Sequence, residues 1–216
     1  MLKVYGMPLS NYFSMLKNVL IERGIEFEEV MASPNQKPEM LANSPLGKVP
    51  YIETEDGFLS ETAVIIDFLE EKYEGASLYP ADEFQRAKVR ELMRMVEHYI
   101  ETPAHSMLGL FFGRDVPQEV KDHFEPLINR GLAALDKLSN PSPYLLGEEL
   151  THADIFAYWS LSLAQSIMKM AYDRDLTKEL PWLADWQKTM LSRESTSTLA
   201  AATKAAQQAM AAAAKK

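Results

Sequence analysis

Hydrophobic positions follow two periods along this chain, and the change between them divides it. In the N-terminal third, short apolar runs of strand length alternate with helical stripes. Leu2-Lys3-Val4-Tyr5-Gly6 reads as a first strand, followed by a loop from Met7 to Asn11. From Phe13 to Arg23 apolar residues recur at Met15, Leu16, Val19 and Leu20, a helical period that Gly24 ends. Phe27 to Met31 predicts a second strand, and Pro34 to Ala42 a loop and short helix. Two further strands flank the turn at Asp56-Gly57, and a helix runs from Ala63 to Tyr73. Beyond residue 75 only helical periods remain. Residues 76–83, with Pro80, read as a linker. The segment 84–191 predicts a long helix from Phe84 to Phe112, kinked where Pro103 removes a donor, then helices over Gln118–Leu138, Ala153–Met170 and from Leu183 to Met190. Residues 192–216 turn Ser/Thr-rich and then Ala-rich. Alanine favours helix, but this tail has little to bury, so the expectation is a frayed or partly disordered peripheral extension.

Composition narrows the functions available. A chain of 216 residues and 24.4 kDa accommodates one large domain or two small ones with real cores. No apolar run is long enough to span a bilayer, and the N-terminus lacks a signal-peptide pattern. The net charge of −9 argues against nucleic acid as the main partner. With no cysteine, disulfides, thiolate metal sites and a cysteine nucleophile are excluded. His98, His105, His123 and His152 show no metal-ligand spacing, so no metal is expected. These features together favour a cytoplasmic protein.

The chemistry concentrates in Ser44 to Thr62, SPLGKVPYIETEDGFLSET. A proline that begins a strand often sits in a tight turn where the cis form is accessible. A cis Val49-Pro50 step would leave the Val49 amide and carbonyl facing outward, ready to pair with an extended peptide. Thr62 opens the next helix, whose free N–H groups and hydroxyl suit a carboxylate, and Glu61 beside it can accept an ammonium group. The ligand implied is a small peptide with a carboxylate and a free amine at one end. Thr151 and Asp154 form a capping box, a structural feature of the helix that follows.

These segments, with Lys37-Pro38-Glu39-Met40-Leu41 upstream and Leu145-Leu146-Gly147-Glu148-Glu149-Leu150-Thr151-His152-Ala153-Asp154-Ile155 downstream, resemble the glutathione S-transferase family in order and spacing. The resemblance covers the chain up to about Ser192. It agrees with the β-α-β-α-β-β-α order and implies an α+β protein: a thioredoxin-like domain with a four-stranded mixed sheet over residues 1–75, followed by an all-helical domain over 84–191. It implies glutathione as co-substrate, a homodimer, and transfer to a small hydrophobic electrophile. Ser10 matches the activating hydroxyl of serine-type members, and Asn11 the residue some bacterial members use instead. The peptide site would comprise Ser10, Gln36, Lys37, Lys48, Val49, Pro50, Glu61 and Thr62, although plant relatives carry a His-Lys pair where Asn35 and Gln36 stand. Met7, Leu9, Tyr12, Met107 and Phe111 would line the electrophile pocket. Tyr5 lies one residue too early to match the phenol of tyrosine-type members. Two other readings remain within the resemblance: a glutathione-dependent disulfide or peroxide reductase, and a non-catalytic interaction protein of the same fold.

Overall fold

The short apolar runs of the N-terminal third pair into one four-stranded sheet in a computed structural model that describes residues 1–213. The chain forms two units, Met1–Leu78 joined by the residues from Arg193 onward, and Tyr79–Ser192. In the first, β1 (Lys3–Gly6), β2 (Glu28–Met31), β3 (Tyr51–Thr54) and β4 (Gly57–Ser60) lie in the order β2-β1-β3-β4. β1 pairs parallel with β2 and antiparallel with β3, which pairs antiparallel with β4. Helices α1 (Asn11–Glu22), α2 (Pro38–Asn43) and α3 (Thr62–Lys72) complete the thioredoxin-like arrangement the element order predicts.

Strand alternation sorts the side chains into two faces. Val4 pairs with Ile52, and both are buried with Met15, Leu16, Val19 and Leu20 of α1 and Ile65, Ile66 and Leu69 of α3. On the other face Tyr5 stacks on Tyr51 with ring centroids 4.5 Å apart, and Phe58 meets Tyr5 edge-on at 6.4 Å. Helix α1 stops at Gly24, where φ is +66°. Just before it, buried Arg23 donates to the carbonyls of Tyr73 at 2.8 Å and Ala76 at 3.4 Å. It also pairs with Glu70 at 3.4 Å, and Glu70 in turn accepts from Ser77 Oγ at 2.8 Å and the Leu78 amide at 3.0 Å. The start of the expected linker is therefore tied into the first unit, whose boundary falls at Leu78 and not at residue 75.

The second unit is helical, as expected: α4 (Glu83–Val96), α5 (Thr102–Ser106), α6 (Gln118–Leu138), α7 (His152–Tyr172), α8 (Leu176–Glu179) and α9 (Leu183–Leu191). The predicted Phe84–Phe112 helix is interrupted earlier than its proline. A π-turn over Glu97–Glu101 separates α4 from α5, and a 3₁₀ turn follows over Leu108–Phe112. Pro103 has no N–H to offer the Tyr99 carbonyl four residues back, and the widened turn absorbs the lost bond. Gly131 of α6 packs against that same carbonyl: a Cβ there would stand 2.8 Å from the Tyr99 oxygen. The capping box at the start of α7 closes as predicted. Buried Asp154 accepts from the Thr151 amide and hydroxyl, each at 3.0 Å, from the Leu145 amide at 2.8 Å and from Trp186 Nε1 at 3.1 Å.

The C-terminal tail departs most from expectation. Glu194–Ala213 is a 20-residue helix, α10, that docks on α1 within the first unit; residues 214–216 of the expected tail lie outside the described residues. What it buries is largely polar. Ser195, Thr196 and Leu199 are covered, and Arg193 just ahead of them donates to Glu22 of α1 at 2.7 Å. Burial by itself would raise the Glu22 carboxyl, but the bonds from Arg193 and Ser195 outweigh it and hold Glu22 below the ordinary carboxylate range. A depressed folded-state pKa contributes stability above the unfolded pKa and loses it as pH falls through the folded value. Glu22→Gln is therefore expected to lower stability at pH 7 by about 1.5–3 kcal/mol, the worth of a hydrogen bond to a charged group. The gap from the native protein should narrow as pH falls below the carboxylate range. Urea midpoints across pH check this, and a gap that stays constant would contradict it.

Candidate functional site

Three chain segments meet at one end of the sheet because of its register. Tyr51 of β3 pairs with Tyr5 of β1 on one side and with Ser60 of β4 on the other. Continuing those antiparallel ladders sets Pro50 level with Gly6, and Val49 level with Thr62. The C-terminal ends of β1 and β4 and the N-terminal end of β3 thus share an edge. The loop to Ser10, the Val49-Pro50 step and the Glu61-Thr62 pair all leave from it.

The Val49–Pro50 bond is cis. Pro50 is buried and Val49 half-buried, and among the described residues neither the Val49 amide nor its carbonyl bonds another backbone group. The loop before them is pinned from inside. Buried Ser44 donates to the Lys48 carbonyl at 2.8 Å and accepts from the Lys48 amide at 3.3 Å. Gly47, at φ +63°, receives the Asn35 amide at 3.0 Å, and a Cβ on it would lie 2.1 Å from the Asn35 carbonyl oxygen. Ser44 and Gly47 escaped the sequence reading as site-shaping residues; the signal was the Ser-Pro-Leu-Gly turn just ahead of the Lys-Val-Pro step.

Glu61 is exposed and held at φ +71°, a conformation that costs a non-glycine residue about 1–3 kcal/mol. This strain, invisible in the sequence, turns the chain sharply from β4 into α3. Thr62 is buried at the first helical position. The Thr62, Ala63 and Val64 amides of this first turn have no acceptor within the helix, and no other backbone carbonyl takes them among the described residues. The arrangement is an anion-accepting helix start with an exposed carboxylate next to it.

Ser10 is the N-cap of α1. Its Oγ accepts from the Phe13 amide at 3.3 Å, and its own amide donates to the Met7 carbonyl at 2.9 Å. The cap uses a lone pair and leaves the hydroxyl hydrogen available, so capping and donation to an anion are compatible. Asn11 follows as the first residue of α1 and is half-buried, like Met7, Leu9 and Tyr12. Tyr5 is unsuited to hold a thiolate. Its hydroxyl is committed to Glu53, and that bond first, with burial second, pushes the phenol up to about 12.

The remaining predicted residues are placed less uniformly. Lys37 and Lys48 are exposed cations flanking the loop. Gln36 is exposed but turns its Nε2 inward to the Leu46 carbonyl at 3.1 Å, bracing the loop. In the second unit Phe111 is half-buried, whereas Met107 is fully buried and takes the Tyr172 hydroxyl on its sulfur at 3.4 Å. Met107 is thus a core side chain, which corrects its assignment to a pocket wall. Among the described residues no group of three or more His, Cys, Asp or Glu side chains is arranged to hold a metal.

Comparison with known proteins identifies the family. Residues 4–77 match the glutathione S-transferase N-terminal domain, and residues 118–187 the C-terminal domain. A glutathione S-transferase of Pseudomonas putida is 43% identical over 182 residues, 84% of this chain and 83% of that protein. Glutathione S-transferase 3 of Zea mays is 30% identical over 165 residues, 71% of this chain and 73% of that one. Among solved structures, a glutathione S-transferase from Methylobacillus flagellatus KT with GSH bound shares the fold with a TM-score of 0.76 at 23% identity, over 92% of this chain and 98% of that one. With both domains matched in chain order and a relative at 43% identity spanning most of both sequences, the chain belongs to the glutathione S-transferase family.

Proposed function

We propose that this protein is a glutathione transferase that binds glutathione along the Val49-Pro50 edge and uses Ser10 to hold its thiol as the thiolate. The observation that carries the reading is the shared sheet edge, which brings an unpaired backbone step, a helix start and a capping hydroxyl to one place. The cysteinyl residue of glutathione pairs with Val49. Its γ-glutamyl carboxylate takes the Thr62 hydroxyl and the first amides of α3, and its ammonium group meets Glu61. Lys37 and Lys48 face the glycyl carboxylate as point charges. The Ser10 hydroxyl and the start of α1 stabilise the sulfur anion, and the thiol proton passes to solvent. The sulfur then forms a bond to an electrophilic carbon, and the leaving group departs with its electron pair. Met7, Leu9 and Tyr12 offer apolar surface to that electrophile. With no cysteine in the chain, the reacting thiol is the ligand's own.

A cytoplasmic, detoxifying homodimer belongs to the same proposal. The cysteine-free composition supports the location, and the exposed apolar side chains of Phe58 and Val64 support the assembly. Sedimentation should give twice the 24.4 kDa chain mass; a single species at the chain mass would overturn the dimer.

Binding and activation should separate by mutation. Thr62→Ala should weaken glutathione binding roughly 10- to 100-fold, the worth of one hydrogen bond to a carboxylate, while leaving the pKa of the bound thiol in place. Ser10→Ala should do the reverse, raising that pKa by about one pH unit or more with little change in affinity. Ultraviolet thiolate absorbance at saturating glutathione, with calorimetric affinities, reads both. If Asn11→Ala removes the thiolate signal and Ser10→Ala does not, Asn11 is the activator. Absence of glutathione binding in the native protein would favour a non-catalytic role for the fold.

A further inference from the structure

Helix α1 carries a polar residue on three successive turns, at Ser14, Asn18 and Glu22, and each is engaged by the C-terminal segment. Ser14 Oγ lies 3.2 Å from Thr203 Oγ1. Asn18 donates from Nδ2 to Ser195 Oγ at 3.0 Å and accepts on Oδ1 from Thr196 Oγ1 at 3.1 Å. Glu22 accepts from Arg193 Nε at 2.7 Å and from the Ser195 hydroxyl. Ser14, Asn18, Ser195 and Thr196 are all buried.

An apolar seam would hold two helices together equally well. Buried polar groups are tolerated only when their partners are met in the right geometry, so this seam fixes how α10 lies along α1. Its Ser14 end is one turn from Ser10. The Ser14 amide donates to the Ser10 carbonyl at 3.0 Å, while the cap from Ser10 Oγ to the Phe13 amide is long, at 3.3 Å. The first turn of a helix frays most readily, and here Ser14, held by Thr203, anchors it alongside the buried Phe13.

We propose that Thr203 is a positioning residue for the thiolate: through Ser14, the C-terminal helix steadies the first turn of α1 and with it the direction of the Ser10 hydroxyl. This rests on the reading of Ser10 as the thiol activator. Deleting the Thr203 hydroxyl leaves the glutathione-contacting residues in place. The loss should therefore appear in the ionisation of the bound thiol and not in its affinity.

The test uses the full chain and glutathione itself, with the thiolate absorbance titrated against pH at saturation. Thr203→Val should raise the pKa of the bound thiol and lower the thiolate fraction at pH 7 about two- to fivefold, with affinity changed less than about twofold. Thr203→Ser, which keeps the hydroxyl, should restore the native titration. Ser14→Ala removes the other half of the same contact and should reproduce the Thr203→Val shift, which covers the case in which Thr203→Val does not fold. An unmoved pKa in the folded variants, a loss that Thr203→Ser fails to restore, or a signal that falls only in proportion to lost binding would overturn the proposal. If the native protein shows a bound thiolate and the variants leave it unchanged, this inference falls alone. If the native protein shows none, the activating role of Ser10 falls with it.

Discussion

The pairing of Tyr51 with Tyr5 on one side and Ser60 on the other is the constraint on which the site depends. Residues on a strand alternate between faces, so a slip of one residue in β3 would exchange the buried Ile52 row for the Tyr5–Tyr51 stack. It would also move Val49 out of line with Thr62. Core burial and site assembly are therefore set by the same register, and the aromatic stack with the apolar row beneath it locks both. Ser44 and Gly47 do for the loop what the register does for the strands, holding Lys48-Val49-Pro50 against the sheet edge from within.

In the proposed function Ser10 serves structure and chemistry together. As a cap it satisfies an N–H that the helix cannot, and as a hydroxyl it retains a hydrogen to donate. Both uses require the first turn of α1 to hold its direction. That turn is braced by its own backbone bond to Ser14 and, beyond it, by the polar seam to α10. At the far end of α1, Arg23 ties the helix to the last carbonyls of α3, so α1 is anchored at both ends within its unit.

The sequence made much of this legible, for identifiable reasons. Strand and helix periods in the N-terminal third were strong where an element buries an apolar face, as β1, α1 and α3 do, and the Val-Pro step and the Thr-x-x-Asp box have local chemistry that needs no tertiary context. Three things were not legible. The positive φ of Glu61 is imposed by the junction of β4 with α3 and has no residue signature, since glutamate ordinarily avoids it. The π-turn opens at Glu97, ahead of the Pro103 that marks the break in the sequence, and the Gly131 that leaves room for its Tyr99 carbonyl lies on another helix. The docking of α10 has no apolar stripe to signal it, because this interface is carried by Ser, Thr, Asn, Glu and Arg. The four-residue spacing of Ser14, Asn18 and Glu22 along α1 was the available clue.

A structure of the glutathione complex tests the central claim most directly. The account predicts the cysteinyl backbone paired with both the amide and the carbonyl of Val49, the γ-glutamyl carboxylate on Thr62, and the sulfur within about 3.5 Å of Ser10 Oγ. Glutathione bound away from the Val49-Pro50 edge, or with its sulfur turned from the start of α1, would contradict it.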